Sequence, residues 1–218
     1  MVNYAVVMCG GRALHFNGIN KSLVKLNEKT MLFYVLESLE NTSIKKIILL
    51  ANSDNYQEIQ KEADNYKLKN NSSKEYIILK EPPKKFRELI LHIQDIVDNN
   101  PFLVVAGNQP MKKTFLKEII DISEKENCLI ATLYNKNISN ESTLTNLKEN
   151  GFIEEGENYV LQHPFIISKE VLSYQIKEDF KYKIEETLKN ISDKMKIKGV
   201  FAEMPPEFDN QEMLKTTV

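Results

Sequence analysis

The chain has 218 residues, of which 42% are hydrophobic and 28% charged, with 29 Lys and Arg set against 31 Asp and Glu. That length and apolar content fit one large globular domain with a sizeable core. The formal net charge of −2 argues against a general nucleic-acid or membrane-surface binder, since both call for a basic excess.

The only cysteines, Cys9 and Cys128, lie in or beside apolar runs far apart in sequence. They read as reduced thiols, not as a disulfide framework or a zinc site. No apolar stretch approaches ~18 residues, so neither a signal peptide nor a membrane span is expected, and the expected location is cytoplasmic.

Five short apolar runs recur along the first part of the chain: Tyr4–Met8, Lys45–Ala51, Glu75–Leu79, Phe102–Ala106 and Cys128–Leu133. Most are continuous and rich in Val and Ile, as strands buried on both faces of a parallel sheet are. Segments of helical periodicity separate them. Leu32, Val35, Leu36 and Leu39 share one face of a helix beginning near Thr30. Ser53 is placed to cap a second helix running to about Tyr66. A third carries Leu89, Ile90, Ile93, Ile96 and Val97 and ends at Asn99-Asn100-Pro101. A fourth carries Phe115, Leu116, Ile119, Ile120 and Ile122.

The pattern changes after Leu133. Asn135–Asn158 is polar and reads as an irregular excursion or a hairpin, and it offers an arm for a homodimer. Tyr159–Ile167 reads as a strand, Ser168 as a helix cap and Ile176–Ile191 as a helix. Lys196–Glu203 reads as an edge strand, and a short helix is expected from about Asn210. These late elements hold too few apolar residues for a core of their own. The expected fold is therefore a single α/β domain over 1–218. It is a three-layer α/β/α sandwich with a mostly parallel, Rossmann-like central sheet, residues 1–134 forming the core and 135–218 an extension of it.

In such a sheet the ligand crevice lies at the carboxyl ends of the strands. The loops there are Gly10–Lys21, Asn52–Asn55, Lys80–Lys85, Gly107–Met111 and Tyr134 onward. The first is the most informative. Paired glycines, Gly10 and Gly11, let backbone N–H groups approach an anion, and Arg12, His15 and Lys21 follow. The plain alternative is a tight turn. A Walker loop is excluded, because Lys21-Ser22 follows Asn20 and Gly18 stands three residues before the lysine. A dinucleotide fingerprint is excluded too, because nearly twenty residues separate Gly10-Gly11 from the helix.

Met8-Cys9-Gly10-Gly11-Arg12 and Gly18-x-x-Lys21-Ser22-Leu23 resemble the two ends of the signature loop of nucleotidyltransferases with a glycosyltransferase-A-like fold. The gap is similar to that of the guanylyltransferase branch, which includes the molybdenum cofactor (MobA-like) and archaeal adenosylcobinamide-phosphate guanylyltransferases. Phe102–Met111 resembles that family's strand ending in Gly-Asp-x-Pro. His163-Pro164-Phe165 resembles a His-Pro element of the molybdenum cofactor branch, and Phe208–Leu214 resembles the closing element.

The resemblance implies transfer of a nucleoside monophosphate from a triphosphate, GTP first, to a phosphorylated cofactor precursor with release of pyrophosphate. It implies Arg12 and Lys21 as the catalytic charges. It implies a nucleotide site drawing on Cys9, Gly10, Gly11, Arg12, Lys21, Asn52, Lys84 and Asn108. Mg²⁺ is the implied cofactor, with Asp209 as its ligand.

This sequence departs from the pattern at Ala13 for the third glycine, His15 for arginine and Asn108 for the metal aspartate. An amide is a far poorer Mg²⁺ ligand than a carboxylate. These departures motivate a second reading, a relative that binds a nucleotide or a partner without turnover. Plain readings stand beside several sites. His15 and His163 also suit structural roles, Asp209 also suits a cap of the last helix, and Lys84 with Lys85 also suits a surface pair. Asn108 also suits holding the turn before Pro110, and Cys9 packing as a small apolar residue.

Overall fold

A computed structural model describes residues 1–10, 20–81, 93–135, 143–177 and 184–202. In chain order the elements are β1 (Tyr4–Met8), a 3₁₀ turn (Lys21–Leu23), β2 (Lys25–Leu26), β3 (Lys29–Thr30), α1 (Met31–Glu40), β4 (Lys46–Asn52), α2 (Tyr56–Asn70), β5 (Glu75–Glu81) and β6 (Phe102–Ala106). They continue as α3 (Lys113–Glu126), β7 (Leu129–Asn135), β8 (Leu144–Leu147), β9 (Ile153–Glu155), β10 (Tyr159–Ile167), α4 (Lys169–Lys177), α5 (Ile184–Ile191) and β11 (Ile197–Phe201).

The main sheet runs β11-β7-β10-β6-β1-β4-β5. β1 pairs in parallel with β4 and β6, β4 with β5, and β7 with β11. The continuous apolar runs follow from burial on both faces. Ala5, Val7, Ile47, Leu49, Leu103 and Val105 face a layer holding Leu36, Ile59 and Ile119, from α1, α2 and α3. Val6, Ile48, Leu50, Phe102 and Val104 face the other layer, with Val97, Val171 and Leu188. This is the expected three-layer α/β sandwich with a mostly parallel sheet.

β10 is the exception in direction. It runs antiparallel between β6 and β7, so the crossover from β6 through α3 to β7 steps over one strand position. The polar excursion resolves in part as a hairpin, with β8 antiparallel to β9 and to β10. Asn146 Oδ1 accepts from the backbone of Glu157 at 3.1 Å and Asn158 at 3.0 Å. The hairpin then bridges to the edge strand through Phe152 and Lys198.

Several boundaries differ from the sequence reading. α2 begins at Tyr56 with Asn55 in the cap position and runs to Asn70, where left-handed Asn71 closes it. Ser53 lies in the preceding turn, because Asn52 Oδ1 takes the backbone N–H groups of Asp54 and Asn55 and delays the helix. A helix does follow Ser168, whose carbonyl accepts from Val171 N at 3.1 Å, but among the described residues its hydroxyl has no hydrogen-bond partner and makes no side-chain cap. The helix expected over Ile176–Ile191 is instead α4, begun seven residues earlier, and α5. The expected residues Leu89 and Ile90, and the terminal helix, lie outside the described residues. Among the described residues no helix is long and apolar enough to cross a membrane.

Candidate active site

The carboxyl ends of β6, β1 and β4 lie side by side and are tied together just beyond the strands. Cys9 N donates to Leu50 O at 2.8 Å, and Gly107 N donates to Met8 O at 2.9 Å. A side chain at 107 has no room: a Cβ there would stand 2.7 Å from Ser22 Oγ, 2.9 Å from Cys9 Sγ and 3.1 Å from Met8 O. Gly107 is therefore the point where the post-β6 turn presses onto the end of β1.

Asn20 fixes the loop that returns from the glycines. Its Oδ1 accepts from Ser22 N at 2.8 Å, capping the 3₁₀ turn, while its Nδ2 donates to Cys9 O at 2.7 Å. One amide thus bolts the turn that begins with Lys21 to the end of β1. Lys21 is half-buried there.

Asn52 serves the same corner. Its Nδ2 donates to Gly10 O at 3.2 Å, and its Oδ1 holds the Asp54–Asn55 turn. Asn55 Nδ2 donates to Cys9 O at 3.3 Å, and its buried Oδ1 has no partner among the described residues. After β6, Gln109 N donates to Ala106 O at 3.3 Å, closing a turn that presents half-buried Asn108. Gln109 itself is buried, and its Nε2 has no partner among the described residues.

These placements sort the expected residues. Gly10, Lys21, Asn52 and Asn108 converge on one corner of the sheet. Cys9 is there too, but its side chain is completely buried in the core beneath. Burial pushes its thiol up to about 12, against a smaller lowering by the Ser22 hydrogen bond. The Cys9 side chain therefore packs and stays protonated, and its carbonyl is taken by Asn20 and Asn55. Asn52 spends its oxygen and one N–H on the fold. Gly11, Arg12, Ala13, His15, Gly18, Lys84, Lys85 and Asp209 lie outside the described residues.

His163 sits on β10 with its ring mostly buried. Nδ1 stands 3.6 Å from Glu185 Oε1, the two side chains being 18% and 14% exposed. Burial holds the imidazole below the usual histidine range, with the Glu185 charge acting in the opposite direction.

Sequence reading gave no role to Asn20 or Glu185 and took Ser22, Asn55 and Gln109 only as parts of a motif or loop. Asn20 carried a usable signal, an Asn directly before a Lys-Ser turn. The others depend on contacts between distant segments.

A protein-held Mg²⁺ draws on one or two carboxylates beside phosphate oxygens. Among the described residues no three His, Cys, Asp or Glu side chains converge, and the turn after β6 offers the neutral amide of Asn108. Asn108 alone is a poor Mg²⁺ ligand, and the expected ligand Asp209 lies outside the described residues.

Solved structures share this architecture. The UTP-bound UGPase from Acinetobacter baumannii superposes with a TM-score of 0.76 at 12% identity, covering 99% of this chain and 92% of that one. The inositol-1-phosphate CTP transferase from T. maritima gives 0.72 at 16% identity, covering 98% and 94%. The 4-diphosphocytidyl-2C-methyl-D-erythritol synthase from Anaerococcus prevotii gives 0.68 at 14%, covering 99% and 93%. At these identities the likeness carries the fold alone. No curated protein matches the sequence. Residues 5–178, most of the chain and the whole of the corner just described, match the MobA-like NTP transferase domain, and the chain belongs to that family.

Proposed function

We propose that the protein is a nucleotidyltransferase that moves a nucleoside monophosphate from GTP to a phosphorylated cofactor precursor. A phosphate oxygen of the acceptor attacks the α-phosphorus, the bond to the β-phosphate oxygen breaks, and pyrophosphate leaves. Chemistry of this kind needs positioning and charge neutralisation, not a covalent nucleophile. The observation that carries the reading is the Asn20 bolt, which fixes the turn of Lys21 against the end of β1 beside Gly10. On this reading Lys21 and Arg12 offset charge on the triphosphate, Gly10 and Gly11 bring backbone close to it, and Asn108 contacts ribose or base.

Pyrophosphate release tests the proposal, with GTP, CTP, ATP and UTP each offered to a panel of phosphorylated cofactor precursors and sugar phosphates. Release is expected with GTP, and Lys21→Ala should lower it by about 100-fold, the scale of losing one transition-state charge contact. No release from any combination overturns it.

One observation favours a second reading, a nucleotide-binding relative without turnover: the neutral amide at Asn108 where the family carries a carboxylate. Asn108→Asp separates the two. If the transferase is short of a metal ligand, the variant releases pyrophosphate faster in Mg²⁺. If the protein only binds, the variant gains nothing, and one nucleotide stabilises the protein equally with and without Mg²⁺.

A further inference from the structure

β10 loses step against β7 between Gln162 and Phe165, which pair with Thr132 and Ala131. The residues inserted there are His163 and Pro164. Against β6 the pairing of Phe165 with Val104 carries His163 towards Ala106, the last residue of β6 and the neighbour of Gly107 and Asn108. The bulge is built, not slack. Tyr134 Oη donates to His163 O at 2.7 Å, and Thr132 Oγ1 donates to Pro164 O at 2.5 Å. Bulges beside active sites commonly serve to re-aim one side chain.

The side chain carried on this bulge is satisfied at one ring nitrogen only. His163 Nδ1 has Glu185 beside it, the Phe165 ring stands with its centroid 4.8 Å from the imidazole, and Nε2 is buried without a hydrogen-bond partner among the described residues. A buried polar atom left unpaired calls for an explanation in ligand or chemistry. Glu185 from α5 and Tyr134 from β7 are ionisable neighbours, and the Tyr134 hydroxyl donates to the His163 carbonyl.

We propose that His163 Nε2 is the contact for the phosphate group of the acceptor substrate, bound as an imidazolium between that phosphate and Glu185. The inference rests on the transferase reading, which supplies a phosphorylated acceptor. The balance is simple: the empty ring is neutral, the arriving phosphate adds a second negative charge, and one proton is taken up from solvent. A carboxylate behind the ring and an anion in front both favour the charged form. Nε2 then donates to a phosphate oxygen, and Nδ1–H is turned towards Glu185. Because the bound form has the higher proton affinity, binding through this contact is strongest at acid pH and is lost as pH rises through the midpoint of the bound state.

The chain has three histidines, His15, His92 and His163, so ring signals of the full-length protein can be followed singly by NMR. His163→Gln assigns its signal, or His15→Gln and His92→Gln assign it by elimination if that variant fails to fold. The pH titration is run in inorganic phosphate and in chloride at equal ionic strength. Phosphate should raise the His163 midpoint by about one unit, a tenfold preference for the charged ring, and Glu185→Gln should lower the midpoint in both. A midpoint that phosphate leaves where chloride leaves it overturns the inference. In turnover, His163→Gln should raise KM for the acceptor about tenfold with KM for the nucleotide unchanged, the scale of one charge-assisted hydrogen bond. A midpoint shift without any pyrophosphate release would sink the transferase reading and leave the phosphate contact standing. Release with no shift would do the reverse.

Discussion

At the scale of single residues the corner depends on two small demands, one for an amide and one for no side chain. Asn20 serves the first by reaching both the 3₁₀ turn and the end of β1. Gly107 serves the second, because Ser22, Cys9 and the Met8 carbonyl already fill the space that a Cβ would take. Gly107→Ala should therefore destabilise by about 1–3 kcal/mol, as overpacked sites do, read as a lower urea midpoint. Since the nearest atom is the Ser22 hydroxyl, Gly107→Ala with Ser22→Gly should regain part of that loss; a single variant as stable as wild type would contradict the packing. The glycine motif and the Lys21 element were legible in sequence because each is local. That Gly107 answers to Ser22 and Cys9 was not, since those residues lie far from it in the chain and meet it only through pairing of β1 with β6.

Among elements, α1 shows how a local signal becomes a tertiary one. Thr30 caps it by accepting from Phe33 N at 3.0 Å, and the same hydroxyl donates to Glu62 Oε1 on α2 at 2.6 Å. Ser38 Oγ, further along α1, donates to Met111 O at 2.7 Å in the segment after β6. Thr30→Ala should cost about 1 kcal/mol, the usual value of a lost cap, while Thr30→Ser should retain most of it in urea titration. Equal stability of the two variants would mean that the cap contributes nothing. The start of α1 was readable because an i, i+3, i+4, i+7 apolar face begins just after Thr30. The start of α2 was misread, because Asn52 competes for the backbone N–H groups that Ser53 was expected to leave for a helix. The antiparallel sense of β10 was likewise hidden: a buried strand is an apolar run in either direction, and only the path of the chain decides which.

Across the whole molecule, the buried ionisable groups make stability depend on alkaline pH. The Cys9 thiol is pushed from its ordinary 9.0 up to about 12 by burial, and the Tyr76 phenol from 10.0 to about 12, also chiefly by burial. Between those values the unfolded chain gives up a proton that the native state keeps, so stability should fall as pH rises from about 9 to about 12. Lys74 opposes this. Its ammonium is held below the ordinary lysine value by burial, so the native state binds fewer protons there than the unfolded chain and its contribution rises with pH. Cys9→Ala should make the urea midpoint fall less steeply over this range, whatever its effect at neutral pH; an unchanged slope would mean that the thiol ionises as freely in the native state as in the unfolded one. By itself the sequence determined the α/β alternation, the sandwich, the family, and the glycine and Lys21 ends of the first loop, because apolar periodicity and short motifs are properties of neighbouring residues. Only the tertiary structure decided that Cys9 is a buried wedge, that Asn20 and Gly107 lock the strand ends together, and that a bulge turns His163 towards Glu185, because each of these rests on atoms that meet only when the sheet is paired.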